Sequence, residues 1–367
     1  MNFKELTNPG IDSIQPYEPG RSLDEVIKEY NLTKVIKLAS NENSMGASKH
    51  ALEIVKSTSN LHYYPDGSAQ ALKKAIADHE SISTNQIILG NGSNEILELV
   101  ASAFLNPSVE AIFSEHAFVV YKLASKVRGC RFHEVPAQNF GHDLYAFKNY
   151  INKQTRVIFI ANPNNPTGTY NTHDQVHDLL SAISENILVV LDLAYYEYAS
   201  ATDYVRPYEL LKEFPNLLLT RSFSKAYGLP ALRIGFGVGH PDLIEILNRI
   251  RQPFNVNTFA QIAAIAAIND QEHIQLSIKN NSAQMLYLQT ELKKLGLDYL
   301  ESQGNFLAVR VNMSGRDIFK MLMKEGVIVR PIDIYDMPEF IRVTIGTPEE
   351  NKFFIHALER VLKQIQT

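Results

Sequence analysis

In residues 220–236, TRSFSKAYGLPALRIGF, one lysine (Lys225) lies among small hydroxyl residues, and Arg233 follows eight positions later. Leu217, Leu218 and Leu219 lead into this stretch, so the lysine falls at the end of a strand. An amine placed there can form a Schiff base with an aldehyde and can afterwards move protons. The hydroxyls of Ser222 and Ser224 and the guanidinium of Arg233 suit a phosphate. Charge-assisted bonds of that kind contribute about 1.5–3 kcal/mol each. Arg233 would also disfavour protonation of a nearby amine. The plainer reading, a surface lysine in a serine-rich loop, leaves Arg233 unexplained.

Three further strand ends carry polar residues that a phosphorylated aromatic cofactor would need. ILGNGSNEILEL runs from a strand through Gly92, Ser93 and Asn94 into a helix. A glycine there allows a close turn, and the first-turn N–H groups can hold an anion. A serine N-cap with a nearby glutamate would read almost the same. VVLDLAYYEY ends an apolar run on Asp192, whose carboxylate needs a positive or N–H partner if buried. A protonated pyridine nitrogen is such a partner, and Tyr195 could donate to a phenolate oxygen of the same ring; a strand-end aspartate capping its own turn is the alternative. ANPNNPTGTY sets Pro163, Pro166 and Gly168 into a rigid turn whose asparagines can donate to a ring oxygen. Two Asn-Pro units so close together exceed what a plain turn needs.

These residues must be held by something. Short β-rich runs at 35–40, 86–90, 111–115, 156–161, 187–192, 217–222 and 233–239 alternate with amphipathic stretches such as 93–104 and 173–183. Continuous apolar strands separated by helices predict an α/β fold, a mostly parallel central sheet covered on both faces. In such sheets ligands sit beyond the carboxyl ends of the strands, where the residues above fall. After about residue 257 a helical tract rich in Ala, Ile and Gln leads to β-like pieces at 304–311, 326–331 and 341–346. The expected division is a large cofactor-binding domain over 40–257 and a smaller α+β domain from 1–39 and 258–367.

The chain has 367 residues, 45% of them hydrophobic, and a net charge of -5 with both signs mixed along its length. That supports a sizeable core and argues against a nucleic-acid partner. No run approaches a membrane span and the N-terminus has no export-type apolar region, so the reading is a cytoplasmic protein with no membrane partner. One cysteine, Cys130, excludes an intramolecular disulfide and reads as a core thiol. His173 and His177 have metal-ligand spacing, but with no third ligand cluster in view the pair reads as a solvated helix face and no metal is expected.

With these residues in hand, the chain resembles the fold-type I, pyridoxal-phosphate-dependent aminotransferases, and most narrowly their histidinol-phosphate branch. ASNENSMG, YYPDG, NGSNEILEL, HAFVVY, NPNNPTG, LDLAYYEY, SFSKAYGLPALRIGF, NFLAVR, GVIVRP and IRVTIGT carry the likeness, from about residue 10 to 360. NPNNPTG and SFSKAYGLPALRIGF are specific for the aminotransferase class; YEPG, NENSMG and IRVTIGT point to the branch.

The resemblance implies pyridoxal 5′-phosphate bound to Lys225, Asp192 at the pyridine nitrogen, and Asn165 and Tyr195 at the phenolate oxygen. Phe118 stands where the family usually has a stacking tyrosine. The phosphate would meet the amides of Ser93 and Asn94 beside Gly92, then Ser222, Ser224 and Arg233, with Tyr64 reaching in from the second subunit of a homodimer. Arg342 would grip the substrate's carboxylate or phosphate, assisted by Arg330, Tyr17 and Asn43; for Arg330 a solvated strand-end charge is the alternative. The resemblance further implies a cis Asn165–Pro166 bond. Ser44 departs from the usual Asn-Glu-Asn-Pro, which puts the rigidity of that loop in question. The implied reaction moves an amino group between glutamate and histidinol phosphate, with an amino acid, an oxo acid and a phosphate monoester as small-molecule partners. An aromatic or other aminotransferase of the same group, and a threonine-phosphate decarboxylase-like lyase, stay open.

Overall fold

The computed structural model describes residues 3–15, 20–59 and 61–366. Its first strand, β1 (Ile36–Lys37), belongs to the smaller part of the molecule and is taken up below. The central sheet is built from β2 (Ile87–Gly90), β3 (Glu110–Ser114), β4 (Arg131–Val135), β5 (Thr155–Ala161), β6 (Leu188–Asp192), β7 (Leu217–Ser222) and β8 (Gly235–Val238). Their order is β2-β8-β7-β6-β5-β3-β4. The pairings from β7 through β4 are parallel, and β8 runs antiparallel to both its neighbours.

Strand alternation explains why these runs are apolar throughout. Ile158, Ile160, Val189, Leu191, Leu217 and Leu219 enter one hydrophobic cluster. Val157, Phe159, Leu188, Val190 and Leu218, one position out of phase, enter another. The helices Gln70–Glu80 and His173–Ala182 cover the first face. Ser93–Phe104, Val120–Val127 and Pro241–Ile250 cover the second. The edge strand β4, RFHEV, escapes sequence reading because its exposed Arg131 and Glu134 break any apolar run.

The smaller part has an antiparallel sheet ordered β12-β13-β10-β9, made of β9 (Asp298–Tyr299), β10 (Phe306–Arg310), β12 (Arg330–Pro331) and β13 (Phe340–Thr344). Beside it, β1 pairs in parallel with β11 (Val327–Ile328). Ile36, Leu38, Leu307, Val309, Ile341 and Val343 share a third cluster with Leu288, Leu292, Phe354 and Leu358 of two long helices, Gln271–Lys294 and Pro348–Gln366.

One helix and one terminal segment bear on the 257 boundary. The helix Thr258–Asn269 buries Ala260, Ala263, Ala264 and Ala267 in the first cluster, on the side of the seven-stranded sheet. Its small residues let it lie against the helices Lys49–Lys56 and Gln70–Glu80. At the other end, the Ser13 carbonyl accepts from Lys126 Nζ of a large-sheet helix at 3.4 Å.

Candidate active site

Parallel strands β5, β6 and β7 end side by side, and their carboxyl ends carry the polar residues singled out above. Asp192 closes β6 and pairs in register with Thr220 of β7. It is buried, with Oδ1 accepting from Thr220 Oγ1 at 3.0 Å and Oδ2 from the Tyr121 hydroxyl at 3.0 Å. Both donors are neutral, and burial raises the Asp192 carboxyl above its ordinary range despite those bonds.

Lys225 follows β7 by three residues. Its Nζ donates to the Ser40 carbonyl at 3.2 Å and lies 5.4 Å from the centre of the Tyr195 ring. Burial, then the positive charge of Arg342, push the amine down to about 7, with Arg233 acting more weakly in the same direction and Glu42 against it. Arg233 thus opposes protonation as expected, but Arg342 is the stronger cation.

Gly92, Ser93, Ser222, Ser224 and Arg233 converge. Gly92 (φ 75°) is the N-cap of the helix Ser93–Phe104 and no side chain caps that end, so Ser93 is a first-turn residue and not a serine cap. A Cβ on Gly92 would stand 2.6 Å from Arg233 Nη2, and one on Gly235 would stand 2.5 Å from the Ser93 amide nitrogen, so both positions depend on having no side chain. Arg233 Nη1 donates to Ser224 Oγ at 3.4 Å, and the Ser224 amide donates to Ser222 Oγ at 3.1 Å. Ser222 and Gly235 are paired across β7 and β8, which folds the 222–235 segment back on itself. Asn94 is exposed one residue into the helix.

The Asn162–Pro163 and Asn165–Pro166 bonds are both cis, the second as expected. Asn165 Oδ1 accepts from Arg342 Nη1 at 2.5 Å, and Arg342 Nη2 donates to the Ala39 carbonyl at 2.8 Å. Arg342 is buried on β13, and Arg330 of β12 is its cross-strand partner, so both guanidiniums leave the same face of the small sheet.

Tyr195 is buried, and its hydroxyl oxygen accepts from Asn41 Nδ2 at 2.9 Å. Burial raises the phenol to about 12, against the lowering influence of Arg342 and the Asn41 bond. Within the same motif, Asn43 is turned away from this ring. Its Nδ2 donates to the Ala226 carbonyl at 2.8 Å and to Ser277 Oγ at 2.9 Å, and its Oδ1 accepts the Met45 amide at 2.9 Å. Asn43 therefore ties its loop to the residue after Lys225. Ser44 Oγ accepts from Asn280 Nδ2 at 3.3 Å, and a Cβ on Gly228 would stand 2.1 Å from the Gly46 carbonyl oxygen. The loop without its usual proline is thus held by contacts on both sides.

Phe118 stands edge-on to Tyr121 at 5.9 Å between ring centres. Tyr64 is 81% exposed and stacks on Phe254 at 4.7 Å between ring centres. Tyr17 lies outside the described residues. Cys130 is buried, and burial pushes its thiol up to about 11. His173 is buried, not solvated, and its Nδ1 accepts the Arg206 amide at 3.3 Å; His177 pairs with Glu213 at 3.1 Å. Among the described residues no group of three or more His, Cys, Asp or Glu is arranged to hold a metal, and no helix is long and apolar enough to cross a membrane.

Three site residues escaped the sequence reading: Tyr121, Thr220 and Asn41. Thr220 was open to inference as the residue facing Asp192 between neighbouring strands. Tyr121 lies in the quoted HAFVVY, one helical turn from Phe118. For Asn41 the motif offered two equivalent asparagines.

Pyridoxal 5′-phosphate fits this set. Asp192 is a buried carboxyl whose side-chain donors are two neutral hydroxyls, so among the described residues it has no cationic partner in hydrogen-bond contact. A lysine amine acts on it, and a side-chain-free cradle at Gly92 adjoins Arg233. Fold and site define a class, the class I and II aminotransferases: the family described as "Aminotransferase class I and II" matches residues 33–358, and the chain belongs to it. Within that class its relatives are histidinol-phosphate aminotransferases. Histidinol-phosphate aminotransferase 2 of Pseudomonas fluorescens is 47% identical over 98% of each chain. The crystal structure of histidinol-phosphate aminotransferase from Sinorhizobium meliloti, in complex with pyridoxal-5′-phosphate, superposes with a TM-score of 0.90, at 25% identity over 97% of each chain. L-threonine-O-3-phosphate decarboxylase from Porphyromonas gingivalis shares the fold, with a TM-score of 0.80 at 24% identity over 90% of this chain and 100% of that one.

Proposed function

We propose that the protein is a cytoplasmic, homodimeric transaminase that exchanges an amino group between glutamate and imidazole-acetol phosphate, giving 2-oxoglutarate and histidinol phosphate. The observation that carries this is that two separate cations, Arg342 and more weakly Arg233, act on one buried lysine. Arg233 adjoins Gly92 at the Ser93 helix end, whereas Arg342 is bonded to Asn165 and paired across the small sheet with Arg330. Arg233 suits the cofactor's phosphate and Arg342 the substrate's carboxylate or phosphate, a planar fork serving either anion.

Pyridoxal 5′-phosphate supplies an aldehyde for the amine and a ring that accepts the electrons left when the substrate's α-proton departs. The residues do the rest. Lys225, whose amine burial and Arg342 push down to about 7, would hold the aldehyde through its unprotonated Nζ with loss of water; once the substrate's amine displaced it there, the freed Nζ would remove and return the α-proton. Asp192 keeps a proton on the ring nitrogen, with Tyr121 and Thr220 fixing its carboxylate. Tyr195 and Asn165 would donate to the ring's oxygen, and Phe118 would stack on the ring. Ser222, Ser224, Arg233 and the amides of Ser93 and Asn94 would hold the phosphate beside Gly92. Arg342 would fix the substrate anion, assisted by Arg330; Tyr17 would contact the substrate's phosphate as the resemblance implies, and Asn43 supports the loop that it ties to Ala226.

Tyr64 completes the phosphate site of the second subunit. Its exposure, beside exposed Leu61, Tyr63 and Phe254, supports that reading, since a cluster of exposed apolar residues suits a second copy of the chain. The test is to follow the bound cofactor's spectrum through each half-reaction. Conversion by both glutamate and histidinol phosphate is expected. Conversion by aromatic amino acids but not histidinol phosphate would overturn the substrate assignment, and carbon dioxide release without any oxo-acid acceptor would make the protein a lyase.

A further inference from the structure

Five consecutive residues, 39–43, touch Arg342, Lys225, Tyr195 and the residue after the lysine. The Ala39 carbonyl accepts from Arg342 at 2.8 Å, and the Ser40 carbonyl accepts from Lys225 at 3.2 Å. The Asn41 side chain meets Tyr195, and Asn305 Nδ2 donates to the Asn41 and Glu42 carbonyls at 3.1 and 3.2 Å. Asn43 holds Ala226. Asn41 has no part in the reaction as proposed, yet it is fully buried and adopts a left-handed backbone with φ 53°.

Its bonds fix a direction. Thr344 Oγ1 accepts the Asn41 amide N–H at 2.9 Å, so its own hydrogen is available for Asn41 Oδ1 at 3.3 Å. That turns the amide oxygen toward Thr344 and leaves Nδ2 to donate to the Tyr195 hydroxyl at 2.9 Å. A tyrosine hydroxyl has one hydrogen, and an oxygen that accepts from an amide must direct that hydrogen elsewhere. The amide occupies one side of the phenol oxygen, and Lys225 lies over the ring. Thr344, in turn, is two residues along β13 from Arg342, so the two side chains share one face of that strand.

We propose that Asn41 is a positioning residue: it aims the Tyr195 hydroxyl hydrogen into the site and ties that aim to the strand carrying Arg342. The inference rests on the reading that Tyr195 meets the cofactor's ring oxygen. Its test is the pH midpoint at which the holoenzyme's visible absorption changes, measured for Asn41→Gly and Thr344→Val, each alone and with Tyr195→Phe. Glycine suits the left-handed backbone at 41, and Thr344→Val keeps shape while removing the hydroxyl that orients the amide. Asn41→Gly should move the midpoint in the same direction as Tyr195→Phe by about 0.5–1 pH unit, the equivalent of one neutral hydrogen bond. Thr344→Val should move it the same way by less. Neither should move it further once the phenol is gone. Equal shifts with and without the Tyr195 hydroxyl would overturn the proposal, as would no shift where Tyr195→Phe gives one. If Tyr195→Phe itself leaves the midpoint in place, the assigned role of Tyr195 fails, and the positioning role falls with it. Should Asn41→Gly not fold, Thr344→Val in the two backgrounds decides the matter alone.

Discussion

Replacing Arg221 by methionine should remove about 3–5 kcal/mol of unfolding free energy, because two buried carboxylates would be left without their cation. Arg221 is 2% exposed on β7, one residue before Ser222. Its Nη2 meets Glu197 at 2.8 Å, its Nη1 meets Glu80 at 3.4 Å and the Tyr208 hydroxyl at 3.0 Å, and its plane lies 4.1 Å over the Tyr196 ring. Each close ion contact has a gross attraction of about 4–6 kcal/mol at an effective dielectric of 20, most of it offset by desolvation. The expected loss therefore comes mainly from the charges stranded by the substitution. Arg221→Lys keeps the charge but not the fork that serves three acceptors, and should lose about 1.5–3 kcal/mol. Denaturant unfolding of the apoprotein with an unchanged slope measures both. Neutralising the partners as well, with Glu80→Gln and Glu197→Gln, should recover at least half of the loss. A loss below about 1 kcal/mol for Arg221→Met, or a triple variant no more stable than the single one, would refute the reasoning.

In the apoprotein, Lys225 should react with an amine-directed acylating reagent with a midpoint near pH 7 in place of 10.5, the reactive free base lying above the midpoint, and Arg342→Gln should raise that midpoint. Asp192→Asn should keep the cofactor but lose more than about 100-fold in turnover, seen by comparing the bound-cofactor spectrum with kcat. Mixed subunits of Tyr64→Ala and Lys225→Ala should recover about one quarter of native activity, since half of the pairs then carry one intact site. His142 is buried and its imidazole is held down at about 4, below an ordinary 6.5, so the unfolded chain binds more protons over that interval. Stability should therefore fall as pH drops from 6.5 toward 4, and denaturant midpoints of His142→Asn should show a shallower fall.

Much of the central sheet was legible because strands buried on both faces leave continuous apolar runs, and their ends mark the site. Lys225, Asp192 and Arg233 stood out for the same reason. What stayed hidden depends on distant chain. The Tyr121 bond to Asp192 spans 71 residues, the Asn41 bond to Tyr195 spans 154 and that to Thr344 spans 303, and no local pattern encodes such partners. Asn41 and Asn43 look alike in NENS, and only the left-handed turn at 41 decides which reaches the phenol. The change in composition at 257 marks a helix of small residues, which packing assigns to the first cluster.

The antiparallel return of β8 also bears on the order in which the site comes into being. Gly92, Ser93, Ser222, Ser224, Arg233 and Gly235 all precede residue 236; the β7–β8 hairpin joins those from 222 to 235, and the β2–β8 pairing brings Gly92 and Ser93 to them. The guanidinium proposed to face the substrate waits for residue 342 and for a strand from another sheet. Because domains made on the ribosome fold N-terminal part first, the cofactor's phosphate cradle has all its parts while the substrate's anchor is still to be made. Synthesis thus follows catalysis: the group used in every turnover has its seat before the molecule that is turned over.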